Sequence, residues 1–419
     1  MDMLFKYFLI YAVSFIGIFI AMLFLLTLFE NRKRLNNPPP MEKLPFVSII
    51  VPTFNGSQHI TKAVESLLDL EYPKNLFEIL IVNDGSTDNT FKIAQKLEKQ
   101  YSQVRAFTKE NGGKASALNF GIKKAKGSII AALDDDSIVT PSALMKMIGY
   151  FADPKVASVT PSLAVYRPDG FLRKVQHAEY LFSIFLRKVF AFMNMIHVTP
   201  GPFSLYRKSF FDRYGGFDEK DATEDTEIAF RIQSKQLKIE NSMDAIVYTV
   251  SPNKLSVLLK QRTRWYSGLI RDCQKYPQLF NPRYGYLALI SLPFAFISVI
   301  ILIAMIGYFT YINIDSFIHT IQNWFLVGFD LLPMLKNFKL DYLYYELTSP
   351  VTAFLLVALL LNILFVIIAK YGSKTKESIK ISYLYFFAVY SYLYAFWWIM
   401  TFVYRLFGGR ISWGKQKYK

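Results

Sequence analysis

The sequence predicts an α/β protein in two parts: a domain on a Rossmann-like, mostly parallel sheet, embedded in an α-helical transmembrane protein. Two observations predict the sheet. From Phe46 onward, short apolar runs of strand length alternate with amphipathic stretches of helical period, the order that gives parallel strands joined by right-handed crossovers. The polar residues that interrupt this alternation fall just beyond the strands, where open sheets of this kind bind ligands. A third observation predicts the membrane part. Of the 419 residues 53% are hydrophobic, high for a soluble protein, and residues 7–29, 284–314, 347–369 and 381–404 carry no charge.

Residues 7–29 are long enough to cross a bilayer as a helix. Glu30-Asn31-Arg32-Lys33-Arg34 follows at once, without a small-residue cleavage site, so residues 1–30 read as a retained anchor. The positive-inside rule keeps that basic cluster, and the domain after it, in the cytoplasm. Residues 31–45, with Pro38, Pro39 and Pro40 in succession, form a stiff linker.

Residues 47–51 and 77–82 have the pattern of strands, and residues 59–70 between them that of an amphipathic helix. Pro52-Thr53-Phe54-Asn55 follows the first strand and Asn83-Asp84-Gly85-Ser86-Thr87-Asp88 the second. Taken singly, each cluster reads as an Asx-rich turn. Asn111-Gly112-Gly113-Lys114 then runs into a helix, with a lysine able to reach a phosphate, although the spacing is not that of a P-loop. Residues 128–133 form a buried strand ending in Asp134-Asp135-Asp136. Three adjacent carboxylates repel one another. A divalent metal holding a diphosphate is the simplest neutraliser.

Residues 141–153 predict a helix packed back on the sheet and residues 156–161 another strand. Residues 171–195, rich in Phe, Leu and Arg, read as an interfacial helix. The loop from Thr199 to Arg207 carries Gly201, which lets backbone approach a ligand closely. Thr223-Glu224-Asp225 precedes a helical stretch, 226–234, and by itself reads as an N-terminal cap. In the helix over residues 255–270, Leu255, Leu258, Leu259, Tyr266, Leu269 and Ile270 form an apolar side opposite Lys254, Lys260, Arg264 and Arg271. Gln261, Arg264 and Gly268 cluster on the polar flank beside Trp265, facing the soluble domain. Taken alone, this helix is equally an interfacial anchor with snorkelling bases.

Beyond it, residues 284–314, 347–369 and 381–404 are each long enough to span. Three spans that start inside leave the C-terminus outside. Residues 370–380, which are basic, agree with this; Arg405, Arg410, Lys415, Lys417 and Lys419 do not. Residues 316–329 read as a short interfacial segment, and a re-entrant or extra crossing there would return the tail to the cytoplasm. The net charge of +16 collects beside apolar spans and not along a groove, which favours membrane surface and anionic substrate over nucleic acid. The one cysteine, Cys273, excludes an intrachain disulfide, and the four histidines lack zinc spacing.

The motifs in series, Val-Pro-Thr-Phe-Asn, Val-Asn-Asp-Gly-Ser-Thr-Asp, Gly-Lys-Ala-Ser-Ala-Leu-Asn, Leu-Asp-Asp-Asp-Ser, Thr-Glu-Asp and Gln-x-x-Arg-Trp, resemble those of processive family 2 glycosyltransferases. That group contains cellulose, chitin, hyaluronan and poly-N-acetylglucosamine synthases. The resemblance implies an α/β GT-A catalytic domain over residues 46–250, an interfacial helix over 251–283 and a transmembrane region over 284–419. It implies that Thr53, Asn55 and Asp84 bind the nucleotide and Lys114 the diphosphate. Asp134 and Asp136 form the D-x-D pair, with Asp136 the direct ligand of Mg²⁺ or Mn²⁺. Glu224 and Asp225 carry the catalytic acidic motif, Asp225 as general base, while Gln261, Arg264 and Trp265 close the site, Trp265 against the acceptor sugar. Two positions depart from the pattern: Gly56, where many members have glutamate, and Asn83, where aspartate is common.

The implied partners are a UDP-sugar donor, a growing glycan acceptor and membrane lipid, with an accessory membrane subunit left open and no nucleic acid. Glu179-Tyr180 and Gly-Lys-Ala-Ser-Ala-Leu-Asn point to the amino sugar polymers, hence UDP-N-acetylglucosamine, made by a multi-pass plasma membrane protein. A single-transfer enzyme acting on a polyprenyl or other lipid acceptor is the enzymatic alternative. A transporter or receptor with a degenerate nucleotide-binding domain is the non-enzymatic one.

Overall fold

The computed structural model describes residues 2–326, 348–373, 375, 378–407, 411–413 and 416–418. Helix α1 (Asp2–Glu30) contains the predicted anchor run and ends at the basic cluster, which forms a 3₁₀ turn over Arg32–Leu35. After the proline linker the chain enters the sheet. Its elements are β1 (Val47–Thr53), α2 (Ile60–Leu68), β2 (Phe77–Asp84), α3 (Thr90–Gln100), β3 (Val104–Lys109), α4 (Lys114–Lys124), β4 (Ile129–Ala132), β5 (Ile138–Val139), α5 (Ala143–Ile148) and β6 (Val156–Val165). Then come α6 (Gly170–Phe192), β7 (Ser204–Arg207), α7 (Lys208–Tyr214), α8 (Glu224–Ser234), β8 (Lys238–Thr249) and α9 (Leu255–Lys275).

The sheet has eight strands in the order β3-β2-β1-β4-β7-β6-β8-β5. The four pairings β1–β2, β1–β4, β2–β3 and β6–β8 are parallel, whereas β7 runs antiparallel to β4 and β6, and β5 to β8. The predicted mostly parallel sheet is therefore present, extended by strands that return against it. Successive residues of β1 face opposite sides. Val47, Ile49 and Val51 join α2, α3 and α5 in one buried cluster. Ile50 faces α4, α7 and α8 in the other. This three-layer arrangement hides both faces, which explains why β1 and β2 are buried at every position, without alternation. The strand order reverses between β1 and β4, so a crevice opens at their carboxyl ends.

Contacts divide the chain into two units, residues 1–26 with 294–365 and residues 27–293 with 366–419. The first contains most of α10 (Leu292–Leu326) and α11 (Pro350–Ser373), and the second holds α12 (Lys380–Leu406). Three segments, Leu287–Tyr308, Thr352–Ser373 and Lys380–Leu406, are long and apolar enough to cross a membrane, and they coincide with the three C-terminal apolar runs in length and composition. Residues 316–326 are not a separate segment. They continue α10, because no glycine or proline interrupts the helix there, and residues 327–329 lie outside the described residues, as do Arg410, Lys415 and Lys419.

Helix α12 differs from a bare span. Its Ser382 meets His177 of α6 at 3.2 Å, Tyr390 donates to Glu179, the Trp398 ring stacks on Tyr266 of α9 at 4.5 Å, and Arg405 donates to the Ser267 carbonyl. One stripe at helical spacing thus lies on α6 and α9 along its whole length. The expected apolar side of α9 is covered in part: Leu258 is buried, while Leu255 at the start of the helix remains exposed.

Candidate active site

A pocket of about 490 Å³ opens at the carboxyl ends of β1 and β4 and is roofed by α6, α8 and α9. It is lined by Lys114, Asp134, Asp136, Glu224, Asp225, Gln261, Arg264 and Trp265. All eight come from the sequence expectations, and 151 residues separate Lys114 from Trp265, so the fold and not proximity in the chain assembles them.

Lys114 is the first residue of α4, placed there by Gly113, whose φ of +88° suits glycine. Its ammonium lies 2.6 Å from Asp134 Oδ1 and 2.9 Å from Glu224 Oε1. Burial alone would lower its pKa, but the charges of Asp134, Glu224 and Asp225 outweigh burial and hold it above the usual value. Glu224 is correspondingly held below the usual carboxylate range by Lys114, against the effect of burial. The lysine pins the carboxylates after β4 to the first turn of α8.

Asp225 sits in the second position of α8, not at its N-cap, which is Thr223. Its Oδ1 accepts from the Thr226 N–H at 2.9 Å, and its backbone carbonyl accepts from the Thr199 N–H and hydroxyl, tying the acidic motif to the loop that precedes β7; the expected loop over Thr199–Arg207 ends at Ser204, where that strand begins. Burial, then the charge of Glu224, pushes the Asp225 carboxyl up to about 6, a value suited to exchanging a proton near neutral pH. In the same loop, a side chain at Gly201 would come 2.5 Å from Lys114 Nζ and 3.0 Å from Asp134 Oδ2, so a larger residue would have to displace the lysine from its pairing.

The Asp134-Asp135-Asp136 group divides its labour. Asp135 turns back to accept a hydrogen bond from the Thr53 hydroxyl, and burial raises its carboxyl to about 7. Asp136 is raised by burial, then by the charge of Asp134. Among the described residues, no group of three or more His, Cys, Asp or Glu side chains can hold a metal. The two crowded carboxylates Asp134 and Asp136 still fit a hard divalent cation whose remaining ligands are substrate oxygens.

Three expected nucleotide contacts do not line this pocket. Thr53 lies beneath it, on Asp135. Asp84 is fully buried, and its carboxylate accepts the Gly112 and Gly113 N–H groups at 3.0 and 2.7 Å and the Lys109 ammonium at 2.8 Å, so it holds the glycine loop in place. Asn55, at φ +55°, is exposed and ties the two loops together, its Oδ1 accepting from the Thr87 N–H. The departure at Gly56 also has a physical cause. A Cβ there would run into Asp135 and Thr53, which fill the space a glutamate would need. Asn83 spends its amide on the Thr108 hydroxyl at 2.9 Å, bracing β2 against β3.

On α9, Arg264 donates to the Ala222 carbonyl at 2.9 Å and Arg271 pairs with Asp221, so both hold the segment before Thr-Glu-Asp. Gly268 lies against Thr223 with no room for a Cβ. The Gln261 side-chain amide oxygen, Oε1, is buried and finds no partner among the described residues. Sequence reasoning passed over Ser183 and Arg187, which join Glu179 on the pocket wall. Their spacing of four along α6 was the available signal. Arg187 makes no ion pair among the described residues, only a 3.4 Å bond to the Pro161 carbonyl.

Comparison with known proteins places this geometry. Residues 48–215 match the family model described as glycosyl transferase family 2. The poly-beta-1,6-N-acetyl-D-glucosamine synthase of Staphylococcus aureus (strain COL) is 32% identical over 251 residues, 58% of this chain and 60% of the relative. The synthase of the same name from Staphylococcus epidermidis is 32% identical over 232 residues, 54% and 56%. The chain thus spans about three fifths of the length of these curated relatives. Among solved structures, mannosyltransferase PcManGT from Pyrobaculum calidifontis, in complex with GDP-Man and Mn²⁺, aligns with a TM-score of 0.52 and 20% identity, over 84% of this chain and 99% of that one. That likeness is one of fold.

Proposed function

We propose that this chain, which belongs to glycosyl transferase family 2 through residues 48–215, is a membrane-bound inverting processive glycosyltransferase. It polymerises UDP-N-acetylglucosamine into a β-linked polysaccharide and passes the product across the membrane in which its apolar helices sit. The observation that carries the reading is the convergence of the D-x-D carboxylates, Lys114, Asp225 and the Gln-x-x-Arg-Trp side chains on one pocket. The relatives named as poly-N-acetylglucosamine synthases favour the amino sugar.

Asp225 takes the proton from an acceptor hydroxyl as that oxygen bonds to the anomeric carbon of the donor. The bond from that carbon to UDP breaks on the opposite side, which inverts the configuration. Lys114 faces the departing diphosphate and offsets its charge. Asp134 and Asp136 would hold a divalent cation, Mg²⁺ or Mn²⁺, which when bound supplies further charge to the same oxygens. Trp265 offers a stacking face to the acceptor sugar, and Gln261 and Arg264 close the pocket from α9. Thr53, Asn55 and Asp84 act on the nucleotide through the loops that they hold.

A second reading, a single transfer to a polyprenyl phosphate, is favoured by Arg187, a pocket cation without an ion pair among the described residues. One experiment separates the two. The purified protein in lipid is incubated with labelled UDP-sugars, and products are sized and their linkage determined. Polymer from UDP-N-acetylglucosamine supports the first reading; one sugar on lipid supports the second and overturns processivity.

A further inference from the structure

Trp265 is held by a device that the reading above leaves unused. Arg262, three residues earlier on α9, is 3% exposed. Its guanidinium carbon lies 4.3 Å from the Trp265 ring centroid and 5.1 Å from that of Trp397 on α12. One of its terminal nitrogens is 2.8 Å from Glu179 Oε2 on α6. The other oxygen of Glu179 accepts from the Tyr390 hydroxyl of α12 at 3.2 Å. Three helices far apart in sequence therefore meet on one buried ion pair beside the pocket, and Glu179, Arg262 and Trp265 all line it.

We propose that Arg262 is a positioning residue of the acceptor site: its guanidinium stacks against the Trp265 indole and sets that ring's angle to the pocket, with Glu179 and Tyr390 fixing the guanidinium in turn. The inference rests on the reading of Trp265 as the acceptor platform. Its physical basis is the shape of the cation. A guanidinium is planar, stacks on an aromatic face and still donates in its own plane to a carboxylate, whereas an ammonium carries the same charge without the plane. Arg262 is thereby distinguished from Arg264, which reaches a backbone carbonyl near the acidic motif. The Glu179-Tyr180 pair also acquires a role. Glu179 sits at the pocket wall and acts through Arg262.

The test uses the full chain in lipid, UDP-N-acetylglucosamine as donor and a short soluble N-acetylglucosamine oligomer as acceptor. Arg262→Lys, Glu179→Gln and Tyr390→Phe are compared with Trp265→Ala and with wild type, each checked for UDP affinity. Arg262→Lys is expected to raise the acceptor KM about tenfold with UDP affinity unchanged. Glu179→Gln and Tyr390→Phe, which keep volume, are expected to move the same parameter by less. In the Trp265→Ala background, Arg262→Lys should add nothing, since the ring it orients is gone. If Trp265→Ala leaves the acceptor KM untouched, the platform reading itself fails. A raised KM in Trp265→Ala, with wild-type KM in the Arg262, Glu179 and Tyr390 variants or with additive effects in the double variant, overturns the positioning role alone. Should Arg262→Lys not fold, Tyr390→Phe and Glu179→Gln decide the matter by the same criterion.

Discussion

Lys114 lies between Asp134 and Glu224, 2.6 Å from one carboxylate and 2.9 Å from the other, so one side chain joins the end of β4 to the start of α8. Replacing it by methionine strands two mostly buried carboxylates, a change that costs about 3–5 kcal/mol where a buried pair is broken. Lys114→Met is expected to lower Tm and to lose UDP binding. The double variant Lys114→Met/Glu224→Gln should regain part of the Tm but none of the binding. Thermal unfolding with and without UDP checks both, and an unchanged Tm in Lys114→Met would show that the pairing contributes no stability.

As the proposed general base, Asp225 is the residue expected to separate chemistry from binding. Asp225→Asn keeps size and polarity but cannot take a hydroxyl proton, so transfer should fall roughly 10²-fold to 10⁴-fold. UDP affinity should stay near wild type. Wild-type turnover in this variant would move the base elsewhere.

The pH dependence follows from the same residue. Burial and Glu224 raise the Asp225 carboxyl to about 6, and the base must be ionised to work, so transfer is expected to rise with pH through about 6 and level off above it. Glu224→Gln removes the neighbouring negative charge and should shift that acid limb to lower pH. A limb that stays put in Glu224→Gln would assign it to another group.

Chelation is expected to abolish transfer and weaken UDP binding, with Mg²⁺ or Mn²⁺ restoring both, because Asp134 and Asp136 otherwise face the diphosphate with charge of the same sign. Calorimetric titration of UDP with and without chelator measures this directly. Full affinity in excess chelator would remove the metal from the scheme.

Gly268 meets Thr223 with no space for a methyl group, whereas Gly307 has nothing within 4 Å. Gly268→Ala should therefore push α9 away from the acidic motif, lowering Tm and activity together. Gly307→Ala, in the middle of α10, should be neutral or slightly stabilising. Equal Tm values for the two variants would contradict the close packing of α9 on Thr223.

Much of this was legible because the parallel sheet writes itself locally. Apolar strands, amphipathic crossovers and polar strand ends each occupy a few consecutive residues, and the reversal of strand order between β1 and β4 puts those ends together. The strand β3 was not legible: it is an edge strand with one buried residue among six, so its pattern resembles that of a loop. Nor could the chain reveal that Asp84 closes the glycine loop, since a carboxylate after a strand serves a backbone nest as well as a ligand. The partners of Arg262 were hidden for another reason. Helical spacing puts it on the inner side of α9, but Glu179 and Trp397 lie 83 and 135 positions away, and no local pattern encodes such a meeting.

Helix α12 has a bearing on sidedness. It is 27 residues long, about 40 Å at 1.5 Å per residue, and a crossing helix leaves its two ends on opposite faces of the bilayer. Yet Ser382 near its start meets α6, and Arg405 near its end meets α9 five residues beyond Arg262. Both α6 and α9 border the same pocket. A helix seated in this way is expected to lie over the site as a lintel, with both of its ends in one compartment. A reporter fused after Lys419 is then expected to be accessible from the same side as one inserted within residues 48–215, and accessibility from opposite sides would make α12 a crossing span.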